Sequence, residues 1–207
     1  SVDELRDLVR GSIPFALTFA IICWIWWEHN KYFRRYGLQD AWVAFLNAAL
    51  LFVVLFYVYP LKYLSTALLA PLVGIDGGGG LSEGRFVLLV YSTGRAAIFG
   101  LFLLLYRHAW QSRHALGLDD AAQVQLRYGA RGHGLIFGVA FGSIALAAVV
   151  PDRWMWVPGL LYFLMGPLHA INGYWADLAQ RAVGAQPQAS SSRPSPRTDR
   201  PDSSGPA

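Results

Sequence analysis

Charge is scarce in this sequence. Of 207 residues, 14% are Asp, Glu, Lys or Arg, while 55% are hydrophobic and the mean hydropathy is +0.35. Soluble domains carry about 25% charged residues. A soluble helical bundle would show apolar stripes at 3.6-residue spacing with a polar opposite face. Leu50 to Tyr59 reads LLFVVLFYVY, apolar all round, and this excludes a soluble helix there. Cysteine is nearly missing too. The single Cys23 rules out an intrachain disulfide and, inside an apolar stretch, reads as a small hydrophobe.

The usual catalytic signatures are missing as well. There is no HExxH, no GxSxG and no cysteine cluster. His108 and His114 are six apart and fall on different faces of a helix, so they do not read as shared metal ligands. Asp119 and Asp120 are neighbours that point apart and read as a solvated loop or helix cap. The run Gly77 to Gly80 is a loop tip; without a following Gly-Lys-Ser or Gly-Lys-Thr it is no phosphate cradle. Neither a cofactor nor a metal is called for. The pI near 9.4 could suggest nucleic acid, but basic residues flanking apolar stretches have a simpler cause, membrane orientation. No nucleic-acid partner is expected.

What is present is a set of five long apolar stretches, at about 12–27, 41–60, 86–106, 134–150 and 154–171. A helix rises about 1.5 Å per residue, so roughly 20 residues cross a hydrocarbon core of about 30 Å. Backbone polar groups find no water there, which leaves helix as the solution. The expected architecture is an all-α, polytopic transmembrane bundle over residues 1–178. Pro60 should end or kink the second span. Residues 179–207, rich in Pro, Ser and Arg, read as a disordered cytosolic tail. Trp24, Trp26 and Trp27, and Tyr57, Tyr59 and Tyr63, sit where interfacial anchors belong.

Alternating the connections between two sides gives one side richer in positive charge. It holds Lys31, Arg34 and Arg35, then Arg107, Arg113, Arg127 and Arg131, then the tail arginines from Arg181 on. The other holds Arg6, Arg10, Lys62, Arg85 and Arg153. The positive-inside rule places the richer side, with the C-terminus, in the cytosol. The residues before the first span are then extracytoplasmic, yet Ser1 to Arg10 contains no signal peptide. The expectation is that the intact protein has six spans, one of them preceding Ser1.

Polar groups at membrane depth are costly and mark function by default. Asn47 falls in the first half of the second stretch. Arg95 lies near the middle of the third, with no acidic residue at matching depth, and is expected to pair outside this chain or to face a wet crevice. Gly134, Gly138 and Gly142 repeat every four residues, a spacing that lets helices approach closely within a bundle or between subunits. There is no TVGYG selectivity filter; Ser92-Thr93-Gly94 is the nearest string and lies in a helical stretch.

The first two stretches carry a more specific pattern. Trp26, His29 and Phe33 match W-x-x-H-x-x-x-F, and Leu46-Asn47 with Pro60 follow in the next stretch. This region resembles the endosomal and lysosomal potassium channel family, transmembrane protein 175, and its bacterial relatives, in motif over about residues 12–63 and in layout to about 175. In that family the W-x-x-H-x-x-x-F helix is the second, and the first carries an F-S-x-x-x-D motif that is nowhere in this sequence. The resemblance implies a subunit of a potassium or other monovalent-cation leak channel in a bacterial plasma membrane, assembled as a homo-oligomer, a tetramer by analogy. This chain would then lack the pore-lining first helix. His29 and Asn47 would hydrogen-bond that helix and hold it in register. Two other readings are a noncatalytic five-helix scaffold and a small transporter; the missing internal repeat and the expectation of unbroken helices weigh against the transporter. No reading is enzymatic.

Overall fold

The computed structural model describes residues 2–74 and 81–185, and they form an all-α structure. Helix α1 is Val2–Tyr36, α2 is Ala41–Val73, α3 is Leu81–Gln111 and α4 is Asp120–Val149. A 3₁₀ turn at Asp152–Trp154, the short α5 (Trp156–Leu160), a second 3₁₀ turn at Leu161–Leu164 and α6 (Met165–Ala185) complete the chain. The glycine tip at 77–80 and the tail from 186 on lie outside the described residues, whereas α6 continues past residue 178.

Helix boundaries follow local chemistry. Asp40 caps α2, its side chain accepting from the Val43 backbone N–H at 2.9 Å. Asp119 does the same for α4 from Ala122 at 2.7 Å. Each carboxylate satisfies a donor that the first helical turn leaves unpaired. Helix α2 closes on Gly74, which has φ of +68° and donates its N–H to the Ala70 carbonyl. That left-handed conformation costs glycine no Cβ clash.

For Pro60 the sequence allows an end or a kink. Pro60 does not end the second helix, because α2 runs through Pro60 and Pro71 to Val73. Each ring removes one N–H to a carbonyl four residues back, a loss that the remaining ladder of a 33-residue helix tolerates. In the fifth span the break is real: Pro158 and Pro167 flank the Leu161–Leu164 turn. Its flanking residues, Leu160 and Met165, stay in the right-handed helical region. The span is therefore tightened into i→i+3 bonding rather than unwound.

Among the described residues, five helices are long and apolar enough to cross a membrane: Leu8–Tyr36, Ala41–Leu72, Gly84–Gln111, Asp120–Val149 and Asp152–Gly184, the last a composite. Their outward residues are apolar; Phe52, Leu55, Phe56 and Phe163 are all at least 68% exposed, a surface made for lipid. The helices pack in chain order, with α1 on α2, α2 on α3, α3 most extensively on α4, and α4 on α6. Buried Tyr32, Leu46, Leu61, Ile98, Phe99, Phe102, Leu105, Leu126 and Ile136 form the core.

Bonds between elements fix the directions. Thr18 donates to Ser65 at 3.1 Å and His29 meets Asn47 at 2.6 Å, so α1 and α2 are antiparallel. Tyr32 Oη donates to the Leu105 carbonyl at 2.8 Å, joining the ends of α1 and α3. At that same end His108 contacts Asp40 at 2.5 Å. At the opposite end Arg85 pairs with Asp152 at 2.9 Å and donates to the carbonyls of Ala147 and Val150. Lys31, Arg34, Arg35, Arg107, Arg113, Arg127, Arg131 and Arg181 thus cluster at one end of the bundle by helix direction.

Candidate functional site

Trp26, His29 and Phe33 follow one another at three- and four-residue steps, which stack side chains on one helix face. On α1 they do so. The Trp26 and His29 rings are 5.1 Å apart with planes 17° from parallel, and His29 and Phe33 are 4.6 Å apart at 42°. Asn47, in the second turn of α2, reaches across so that its Oδ1 accepts from His29 Nε2 at 2.6 Å. Nε2 therefore carries a proton in this arrangement. The Asp40 cap sets the start of α2 and thereby the height of Asn47 on α1. Just beside the pair is a small cavity of about 50 Å³, lined by Ile22, Ile25, Trp26, His29, Leu50, Leu51 and Val54. The sequence groups Trp26, His29, Phe33 and Asn47 with Arg95; the structure brings the first four together, with His29 bonded to Asn47.

Arg95 stands elsewhere, midway along α3. Its guanidinium donates to Tyr91 Oη at 2.8 Å and contacts Met165 Sδ at 3.3 Å. The rings of Tyr162, Phe99 and Tyr91 surround it, 5.4, 5.6 and 5.9 Å from the guanidinium carbon to the ring centres. Its Nε is buried with no hydrogen-bond partner among the described residues. Instead of a carboxylate, this charge meets the negative faces of aromatic rings.

The glycine stripe of α4 is open. A side chain added at Gly138 would meet nothing within 4 Å, and at Gly134 and Gly142 only the tips of Leu103 and Leu161, at 3.9 and 3.8 Å. The close approaches within the chain belong to other glycines. A Cβ at Gly94 would fall 2.2 Å from the Tyr57 ring, and at Gly129 2.5 Å from the Tyr106 ring.

One pairing escaped the sequence reading. Glu28, 8% exposed, holds Lys31 at 2.7 Å and faces His133 Nε2 at 3.8 Å. His133 is buried against Phe99, Phe102 and Tyr106. The available signal was a lone imidazole directly before the fourth apolar stretch, between Gly132 and Gly134.

With this geometry established, relatives can be placed. The pattern of the family described as endosomal/lysosomal potassium channel TMEM175 matches residues 1–57, which include the Trp26–His29–Phe33–Asn47 site. A protein of Marivirga tractuosa named "Potassium channel" is 34% identical over 184 residues, covering 83% of this chain and 74% of that protein. The crystal structure of a variant of the potassium channel MtTMEM175, bound to a nanobody–MBP fusion protein, superposes with a TM-score of 0.75 at 30% identity, covering 86% of this chain and 82% of that one. Identity over four fifths of the chain and the overall fold agree, and the chain belongs to the TMEM175 potassium channel family as an integral membrane protein.

Proposed function

We propose that this chain is one subunit of a homo-oligomeric channel, a tetramer, that lets potassium and other monovalent cations leak across a bacterial plasma membrane. The observation that carries the reading is the fold-wide likeness, over more than four fifths of the chain, to a solved potassium channel. The basic end of the bundle faces the cytosol together with the C-terminus, in keeping with the positive-inside rule. Trp26, His29, Phe33 and Asn47 act as a clamp. They fix the angle between α1 and α2, and so the surface that α1 offers to the rest of the assembly. Arg95 supports the pathway from a distance by holding α3 against the fifth span through Tyr162 and Met165. Gly138 and its stripe remain available for contact between subunits.

Liposomes containing the full-length protein test this. Potassium flux should exceed that of empty liposomes and rise with the ion gradient without saturating. His29→Ala should lower that flux or shift the oligomer mass, because both the ring stack and the hydrogen bond are lost. Unchanged flux with unchanged mass would remove the clamp from the account. A saturable, substrate-dependent flux would favour a transporter, and no flux at all a scaffold.

A further inference from the structure

The last three turns of α1 form a shallow polar pocket of about 350 Å³, lined by Trp27, Asn30, Lys31, Arg34 and Arg35. We propose that this pocket binds the phosphodiester headgroup of an anionic phospholipid. Trp27, Lys31 and Arg34 follow at four- and three-residue steps and share one face of the helix. The Lys31 ammonium lies 4.5 Å from the centre of the Trp27 ring, and Glu28 pins it from the buried side at 2.7 Å. Glu28 is thereby engaged with Lys31, and the exposed Arg34 and Arg35 leave the pocket with excess positive charge.

Position selects the occupant. The pocket sits at the end of the candidate span Leu8–Tyr36. Below it α1 turns apolar side chains outward: Trp26 and Trp27 at 59% and 58% exposure, then Phe19 and Phe15. The surface is aromatic where headgroups begin and apolar beneath. A ligand matching both halves is apolar at one end and anionic at the other. A diester phosphate offers the acceptor oxygens that a guanidinium fork recognises in pairs. The volume lies within the usual range for small-ligand pockets. This site is separate from the Trp26–His29–Asn47 clamp, and its test does not depend on ion conduction.

The test is native mass spectrometry of the purified full-length protein, released from mixed micelles of phosphatidylglycerol and phosphatidylcholine. Wild type should retain phosphatidylglycerol selectively. Each arginine near a membrane surface strengthens anionic-lipid binding by roughly fivefold, so Arg34→Gln with Arg35→Gln should weaken retention by about 25-fold. Arg34→Lys with Arg35→Lys, which keeps the charge and loses the paired fork, should fall between wild type and the Gln double variant. Arg181→Gln, a change at an exposed arginine already paired with Asp177 at 2.7 Å, should leave retention unchanged. Equal retention in the Gln double variant would overturn the proposal. So would displacement of the lipid by millimolar inorganic phosphate, which would mark a site for the free anion. A change in oligomer mass without a change in lipid retention would assign the pocket to subunit contact and overturn it as well.

Discussion

At the scale of single residues, two ways of placing a polar group inside an apolar bundle are visible, pairing and enclosure by aromatic rings. His29 and Asn47 solve the problem by pairing. Such interhelical hydrogen bonds in a membrane contribute about 0.6 kcal/mol on average, so their value is directional: they fix which turn of α1 meets which turn of α2. Arg95 solves it by enclosure. A charged side chain at the centre of a spanning helix costs about 2.5–3.5 kcal/mol by insertion scales. Three rings and the Tyr91 hydroxyl offset part of that cost. A lysine has a compact, strongly hydrated ammonium in place of a planar fork and cannot stack in the same way. Arg95→Lys should therefore be less stable than Arg95→Met, by about 2 kcal/mol, as read from thermal unfolding in detergent. A lysine variant as stable as the methionine variant would mean that the cage does not recognise the guanidinium. The sequence made Arg95 and Asn47 conspicuous as polar residues in apolar runs. The partners of Arg95 were hidden, since Phe99 and Tyr162 meet it only in the folded bundle and no pattern marks Tyr91. His133 was missed because the groups it meets, Phe99, Phe102, Tyr106 and Glu28, are distant in sequence.

At the scale of elements, helix ends and helix contacts were unequally legible. The cap at Asp119 followed from residue type, and so did the five apolar stretches. Of the two outcomes expected at Pro60, an end or a kink, the end does not occur, because α2 is long enough to absorb the lost hydrogen bond. The fifth span shows the opposite outcome, with two prolines close together and a 3₁₀ segment between them. The glycine pattern of α4 was visible, but spacing alone cannot say which glycines meet a ring. The structure assigns that role to Gly94 and Gly129. Gly94→Ala should destabilise the fold by about 1–3 kcal/mol, since Tyr57 is buried and must turn away. Gly138→Ala should leave subunit stability almost unchanged, with any effect appearing in oligomer mass. Equal thermal midpoints for the two variants would contradict this packing.

The junction between α1 and α2 carries a pH signature. Asp40 accepts from the Val43 N–H and contacts His108, and these bonds hold its carboxyl below the usual carboxylate range. A carboxyl with a depressed value in the folded state binds its proton more readily in the unfolded chain. Its contribution is complete above the unfolded value near 3.8 and is lost as pH falls through the lower folded value. Asn also caps helices well, so Asp40→Asn should keep α2 intact while removing this dependence. The difference in thermal midpoint between wild type and Asp40→Asn should shrink as pH drops below about 4. A difference independent of pH would mean that the carboxylate charge contributes nothing at this junction.

At the scale of the whole molecule, composition alone established that lipid is the solvent, and the alternating charge of the connections matched the ends to which helix direction brings them. The Trp26, His29 and Phe33 spacing carried the family likeness, because stacking on one helix face needs only local sequence. What stayed illegible was how the chain's outer surfaces are used, since exposed apolar residues look the same facing lipid or another subunit. The central claim is that this fold conducts potassium, and a planar-bilayer recording tests it most directly. With the full-length protein in the bilayer and a potassium chloride gradient across it, a steady current should flow whose reversal potential lies toward the potassium equilibrium value. A reversal potential toward chloride, or no current beyond that of the protein-free bilayer, would contradict it.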